Sequence, residues 1–119
     1  MQTDFPFPHH KLDAWRVAVE LATKGRKLAE RIPTGDRDLA AQLRRSSTAS
    51  VLLIGEGAGR RTAGNKRARF SEARGECSET AAAELAAALG LVPATEAREV
   101  VHLAGRVAAM LTRLIQRFS

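Results

Sequence analysis

Cysteine, tyrosine, tryptophan and long apolar runs are the scarce features of this chain. One cysteine, Cys77, among 119 residues rules out an intrachain disulfide and fits a reducing compartment. A lone Cys on an apolar helical face is expected to be a small core residue. There is no Tyr, one Trp and four Phe, too few faces for base stacking to be a main mode of contact, with Phe70 the best placed of them. No apolar run approaches the roughly 18–20 residues of a membrane span. The opening MQTDFPFPHHK is too polar and Pro-broken for a secretory h-region. A soluble, cytoplasmic protein without a membrane partner is the expectation. No segment alternates apolar and polar residues as a half-buried strand would, which leaves an all-α chain.

What is present is helical periodicity. Leu12, Trp15, Val19, Ala22 and Ala29 fall on one seam, with Val17, Leu21, Leu28 and Ile32 beside it. Pro33 and Gly35 end that helix, and Asp36 suits the N-cap of the next. The second helix carries Leu39, Leu43, Ser47, Ser50 and Ile54 and is expected to dissolve at Gly55, Gly57 and Gly59. A third starts near Asn65, aligns Phe70, Ala73, Cys77 and Ala81, and runs through an Ala-rich tract to Gly90, a C-cap signal. The fourth follows Pro93 with a seam of Val100, Ala104, Val107, Leu111, Leu114 and Phe118, widened by Val101, Ala108 and Ile115. Helices over about 12–32, 36–55, 65–89 and 94–118, after an arm at 1–11, predict an antiparallel up-down four-helix bundle in one domain. The widened stripes point to a homo-oligomer.

Charge is unevenly spread. The net +6 is carried by residues 44–74, where Arg44, Arg45, Arg60, Arg61, Lys66, Arg67, Arg69 and Arg74 face only Glu56 and Glu72; the remainder has eleven basic and eleven acidic residues. Such localisation points to a polyanion, with DNA or structured RNA bound through its backbone. The bland alternative is a solvated basic hairpin. The stretch GEGAGRRTAGNKRAR, residues 55–69, holds four glycines and five Lys/Arg. It is not a phosphate-binding P-loop: Asn65 and Lys66 follow Gly64 where Lys and Ser/Thr belong, and no strand precedes it. The expected role of Gly55, Glu56, Gly57 and Gly59 is a structural turn between helices two and three. The helix start at Asn65 would add N–H donors for an anion.

Other chemistry finds little support. Glu99 and His102 have the i, i+3 spacing of a di-iron bundle ligand pair, but such sites need a second copy. Glu72, Glu76 and Glu79 stand on another helix. Cys77 has no His at helical distance, and Ser46, Ser47 and Ser50 read as small residues at helix contacts. No metal, cofactor or catalytic residue is expected, and the chain reads as a non-enzyme.

The segment RRSSTASVLLIGEGAGRRT, residues 44–62, resembles bacterial four-helix-bundle proteins named for reading frames in the intervening sequences of 23S ribosomal RNA genes. Their second helix ends in the form RRAAxSIPxNIAEGxGR[RK]S, matched here by Arg44, Arg45, Ile54, Glu56, Gly57, Gly59, Arg60 and Arg61. Leu12 with Trp15, Phe70 with Ala73-Arg74-Gly75, and Leu89-Gly90-Leu91 extend the resemblance over nearly the whole chain. Val51, Leu53 and Gly55 stand where the family has Pro, Asn and Ala. The resemblance implies an up-down bundle, and for several relatives a five-fold ring. Its architecture is similar to that of basic pentameric accessory proteins of diversity-generating retroelements, which bind nucleic acid and a reverse transcriptase. A homopentamer, an RNA or DNA ligand and a reverse-transcriptase-like partner are therefore implied. The resemblance also implies a structural Glu56, buried or capping, paired with Arg44, Arg60 or a neighbouring subunit's Arg. The rival expectation is a scaffold whose Arg residues bridge subunits through Glu72, Glu76 and Glu79.

Overall fold

The computed structural model describes residues 7–119. A 3-10 turn at Pro8–Lys11 leads into α1 (Asp13–Glu30), and a second at Thr34–Asp36 leads into α2 (Arg37–Gly59). Then come α3 (Ala63–Glu79), α4 (Ala81–Ala88) and α5 (Ala94–Arg117). Of the arm expected at 1–11, residues 1–6 lie outside the described residues. The helices run up and down in four columns, the third being α3 with α4 continuing it. The columns meet in cyclic order, α1 on α2, α2 on α3, α3 and α4 on α5, and α5 back on α1. Among the described residues there is no strand, and no helix is long and apolar enough to cross a membrane.

The apolar stripes meet in one core that includes Leu21, Leu28, Leu43, Ile54, Phe70, Val100, Val107 and Leu111. The predicted seam of α1 holds except at Val19, which is 41% exposed. Its inward face is instead completed by Ala14, Ala18 and Gly25. Val101, Ala108 and Ile115 are half-buried against the core. The wide stripe of α5 is thus used within the chain, because this helix faces α1 on one side and α3 with α4 on the other.

Small residues let α2 approach both neighbours closely. Ser46, Ser47 and Ser50 are fully buried, and their hydroxyls donate to the carbonyls of Leu43, Leu43 and Ser47 on their own helix. Each is thereby satisfied without a partner across the interface. Gly25 of α1 lies against Ser47, where an added Cβ would come within 2.8 Å of the serine Cβ. On the other flank, a Cβ on Gly57 would sit 2.7 Å from Cε1 of the buried Phe70 ring.

That contact corrects the expected glycine turn. α2 does not dissolve at Gly55; it continues through Glu56 and Gly57 to Gly59, and the connection is the short segment Arg60–Thr62. Gly57 is there for close approach to Phe70, not for a bend. None of Gly55, Gly57 or Gly59 has positive φ; among the described residues only Gly90 does, at 74°. Gly90 ends α4 in a Schellman motif, with Leu91 N–H on Ala86 O at 2.9 Å and Gly90 N–H on Ala87 O at 3.0 Å.

The third predicted helix is broken at Thr80. Its buried hydroxyl donates to Cys77 O at 2.6 Å, taking a carbonyl of the last turn of α3. The break resets the helical register, so Ala81 faces out while Ala82, Ala83 and Ala86 face in. Asp36 occupies the N-cap position of α2, but its side chain makes no capping bond.

Gly57→Ala is expected to destabilise the fold by about 1–3 kcal/mol through overpacking against Phe70. Gly55→Ala, whose Cβ would meet Trp15 at an ordinary 3.4 Å, should be neutral or stabilise by up to about 1 kcal/mol. Urea unfolding of both variants checks this; equal effects would remove the close-approach explanation.

Candidate nucleic-acid interface

The fold redistributes the charge seen in the sequence. Antiparallel packing places the α2–α3 connection beside the start of α1 and the end of α5. Arg67 reaches Phe118 and Arg74 reaches Thr112 from α3, while Asp13, Arg16, Arg106 and Met110 line one notch between α1 and α5. The half of the bundle nearer the connection comprises residues 7–20, 51–75 and 106–119. It holds eleven Lys/Arg and four Asp/Glu, an excess of seven, whereas residues 21–50 and 76–105 hold eight of each. The positive surface is therefore one half of the bundle, drawn from the start of α1, the α2–α3 connection, α3 and the end of α5. Lys11, Arg113 and Arg117, which line a second notch with Met110 and Leu114, join it. Sequence reasoning missed them because they lie in segments that are neutral on average.

Arg44 and Arg45 do not belong to this surface. Arg45 lies fourteen residues before Gly59, the end of α2, about 21 Å along the helix axis. It bridges α2 to α3 instead, bonding Glu76 at 3.2 Å and also pairing with Glu79. Glu79 accepts a further bond from Gln42 at 2.6 Å. The Glu76 charge, then the bond to Glu79, raise the Arg45 guanidinium above its ordinary pKa, which leaves a group already charged at every working pH. Arg44 lies on the outer side of α2, where it lines a shallow apolar groove with Arg26, Ala49 and Leu52.

The remaining basic residues divide into tethered and exposed. Lys66 donates to Ala58 O in the last turn of α2 at 2.8 Å, with its ammonium 5.5 Å from the Phe118 ring centroid. Arg67 donates to the Phe118 carbonyl at the end of α5. Both cations near the start of α3 thus satisfy carbonyls that the neighbouring helices leave open, at the negative ends of two helix dipoles. Arg69 pairs with Glu72 at 2.6 Å, and Arg74 donates to Thr112 Oγ1 at 3.0 Å. Arg60 and Arg61 are exposed on the connection. Arg60 lies 3.6 Å from Glu56, and Arg61 has no polar partner among the described residues. Glu56 is about half exposed, with Arg60 its partner; it is neither buried nor a cap.

The start of α3 is partly capped by its own chain. The helix begins at Ala63, not near Asn65, because Thr62 is its N-cap, and the Thr62 hydroxyl accepts the Asn65 N–H at 3.1 Å. That N–H is therefore not available to an anion. Phe70 is 1% exposed and packs on Phe118 at 6.3 Å, so it offers no stacking face.

Other candidate chemistry is absorbed by structure. Among the described residues no three His, Cys, Asp or Glu side chains converge. Glu99 pairs with Lys24 across α1 and α5, and His102 is exposed. Burial, with the Glu76 charge second, pushes the Cys77 thiol up to about 12. The thiolate is the reactive form, so Cys77 is expected to resist alkylation near pH 8 in the folded protein and to react on denaturation. A thiol titration with and without denaturant checks this. Lys66→Ala should cost about 1 kcal/mol or more of stability through the lost carbonyl bond, and Arg61→Ala less than about 0.5 kcal/mol; equal losses in thermal unfolding would remove the division between tethered and exposed cations.

No curated protein matches the chain. The family model described as 23S rRNA-intervening sequence protein matches residues 10–113. That span takes in His10 of the Pro8–Lys11 turn, α1 to α4 and most of α5, and stops at Arg113 on the positive half. With nearly the whole bundle matched, this chain belongs to the 23S rRNA-intervening sequence protein family.

Proposed function

We propose that this protein binds the backbone of structured RNA or DNA through the positive half of its bundle and carries out no catalysis. The observation that carries this reading is the excess of seven positive charges gathered from α1, α3, α5 and the α2–α3 connection onto one half, beside a neutral other half. Arg60, Arg61, Lys11, Arg106, Arg113 and Arg117 are exposed contacts. Lys66, Arg67, Arg69 and Arg74 contribute field from tethered positions. Arginine forks suit phosphate oxygens, and the scarcity of exposed aromatics favours backbone contact over base stacking. The family's name is consistent with a role near nucleic acid.

Fluorescence anisotropy against structured RNA and duplex DNA at two salt concentrations tests the proposal. Affinity should fall with salt at a log–log slope of about −0.9 per phosphate neutralised on duplex DNA. The Arg60→Ala, Arg61→Ala double variant should lower that slope by about 2. Salt-insensitive binding, or an unchanged slope in the variant, would contradict it.

A second reading, self-association into a ring that scaffolds a protein partner, is favoured by a different observation. Leu52, Leu85 and Leu89 are each at least half exposed, on the outer faces of α2 and at α4. The acids expected to bridge subunits are occupied within the chain, Glu76 and Glu79 by Arg45 and Glu72 by Arg69. Apolar contact is therefore the better basis for an oligomer than Arg–Glu bridges. Light scattering of the Leu52→Ser and Leu85→Ser variants decides: loss of a higher mass supports association through these faces, and a monomeric wild type removes it.

A further inference from the structure

The strap at Pro8–Lys11 is held mainly by rings. Phe7 stacks on His9 with centroids 6.0 Å apart and planes 3° apart. His9 lies 4.1 Å from His10 and 4.2 Å from Trp15, and His10 meets Trp15 edge-on at 6.2 Å. Gly55 of α2 forms the floor, since a Cβ there would come 3.4 Å from Trp15 and 3.8 Å from His9 Nδ1. The strap thus fastens the start of α1 to the last turns of α2, on the positive half.

Its closure uses a titratable acceptor. The Phe7 backbone N–H donates to His10 Nδ1 at 3.2 Å. An accepting Nδ1 carries no hydrogen, so the neutral ring holds its proton on Nε2. The proton that charges this ring goes to Nδ1 and deletes the bond. None of the four strap residues is fully buried, so opening would leave the core intact.

We propose that the strap is a proton-operated latch: charging the His9–His10 pair releases it from Trp15 and Gly55 and adds its charge to the polyanion-binding half. The second part rests on the proposed function; the first does not. Two imidazolium rings at this separation repel, and one of them has lost its backbone donor. Burial first and His10 second hold His9 below its ordinary value of 6.5. The docked strap binds fewer protons than the released one, so docking is most favoured above pH 6.5 and weakens as pH falls below it. Among the described residues, the ionisable neighbours on the packed elements are His10 and Lys11 on the strap, Asp13 and Arg16 on α1, and Glu56 and Arg60 on α2. Asp13 pairs with Arg16, and Glu56 with Arg60. Of these groups only His10 contributes to the shift at His9.

Trp15 is the only tryptophan and reports on the strap directly. Its accessibility to acrylamide, followed from about pH 8 to 5, should rise with a midpoint below 6.5 while far-UV circular dichroism stays constant. The transition should be lost in the His9→Phe, His10→Phe double variant. The latch is overturned by unchanged accessibility, by a transition that persists in the variant, or by helix loss with the same midpoint. Dimming without a gain in accessibility, which is quenching by a charged ring in place, also overturns it. For the coupling, RNA affinity should rise on acidification in the wild type and not in the variant. Equal changes in both would overturn the coupling alone. No RNA binding at any pH would overturn the proposed function and leave the Trp15 result standing.

Discussion

The closeness with which α2 is packed on both flanks is the constraint on which the rest of this molecule depends. Gly25 brings α1 onto Ser47, and Gly57 brings Phe70 of α3 against the α2 backbone. Between them, three buried serines bond their own helix and leave the surface of α2 smooth. With α2 so held, the third column and α5 close the square. The ends of α2 and α5 then meet the starts of α1 and α3. The same packing fixes where charge accumulates, because it decides which helix ends share one half.

That half is electrostatically demanding in its own right. The carbonyl ends of α2 and α5 point into it, and Lys66 and Arg67 near the start of α3 bond them. Part of the basic stretch is therefore spent on closing helices, which reduces the set that can reach a ligand. Arg60 and Arg61 remain on the connection, Lys11 on the strap, and Arg106 with Arg113 and Arg117 on α5. A polyanion would meet a surface whose rigid parts are capped helix ends and whose movable parts are exposed arginines. The strap lies in the same half, so a change in its protonation acts on the same field.

Much of the fold was legible because helical periodicity is a local signal. The seam from Val100 to Leu114 needed only counting, and Gly90 announced the end of α4 by the one positive φ among the described residues. The misreadings have a common cause. Gly55, Gly57 and Gly59 have the composition of a turn, yet only tertiary contact with Phe70 explains a glycine at 57 inside a helix. Thr80 breaks a helix through one hydroxyl, which propensity does not reveal. For the candidate site, the basic stretch points to Arg60 and Arg61, which the fold leaves exposed on the connection. It groups Arg44 and Arg45 with them by proximity in the chain, and neighbours in the chain need not be neighbours in space. Lys11, Arg113 and Arg117 were invisible for the converse reason: they are remote in sequence and brought together by antiparallel packing.

The central claim is that the fold, and not the contiguous basic segment, defines the polyanion surface. Comparing the salt slope of RNA binding in an Arg113→Ala, Arg117→Ala variant with that in an Arg44→Ala, Arg45→Ala variant tests it most directly. The account predicts a clearly shallower slope for the α5 pair and a wild-type slope for the α2 pair. A wild-type slope for the α5 pair with loss in the α2 pair would contradict it and return the binding surface to the basic segment of the sequence.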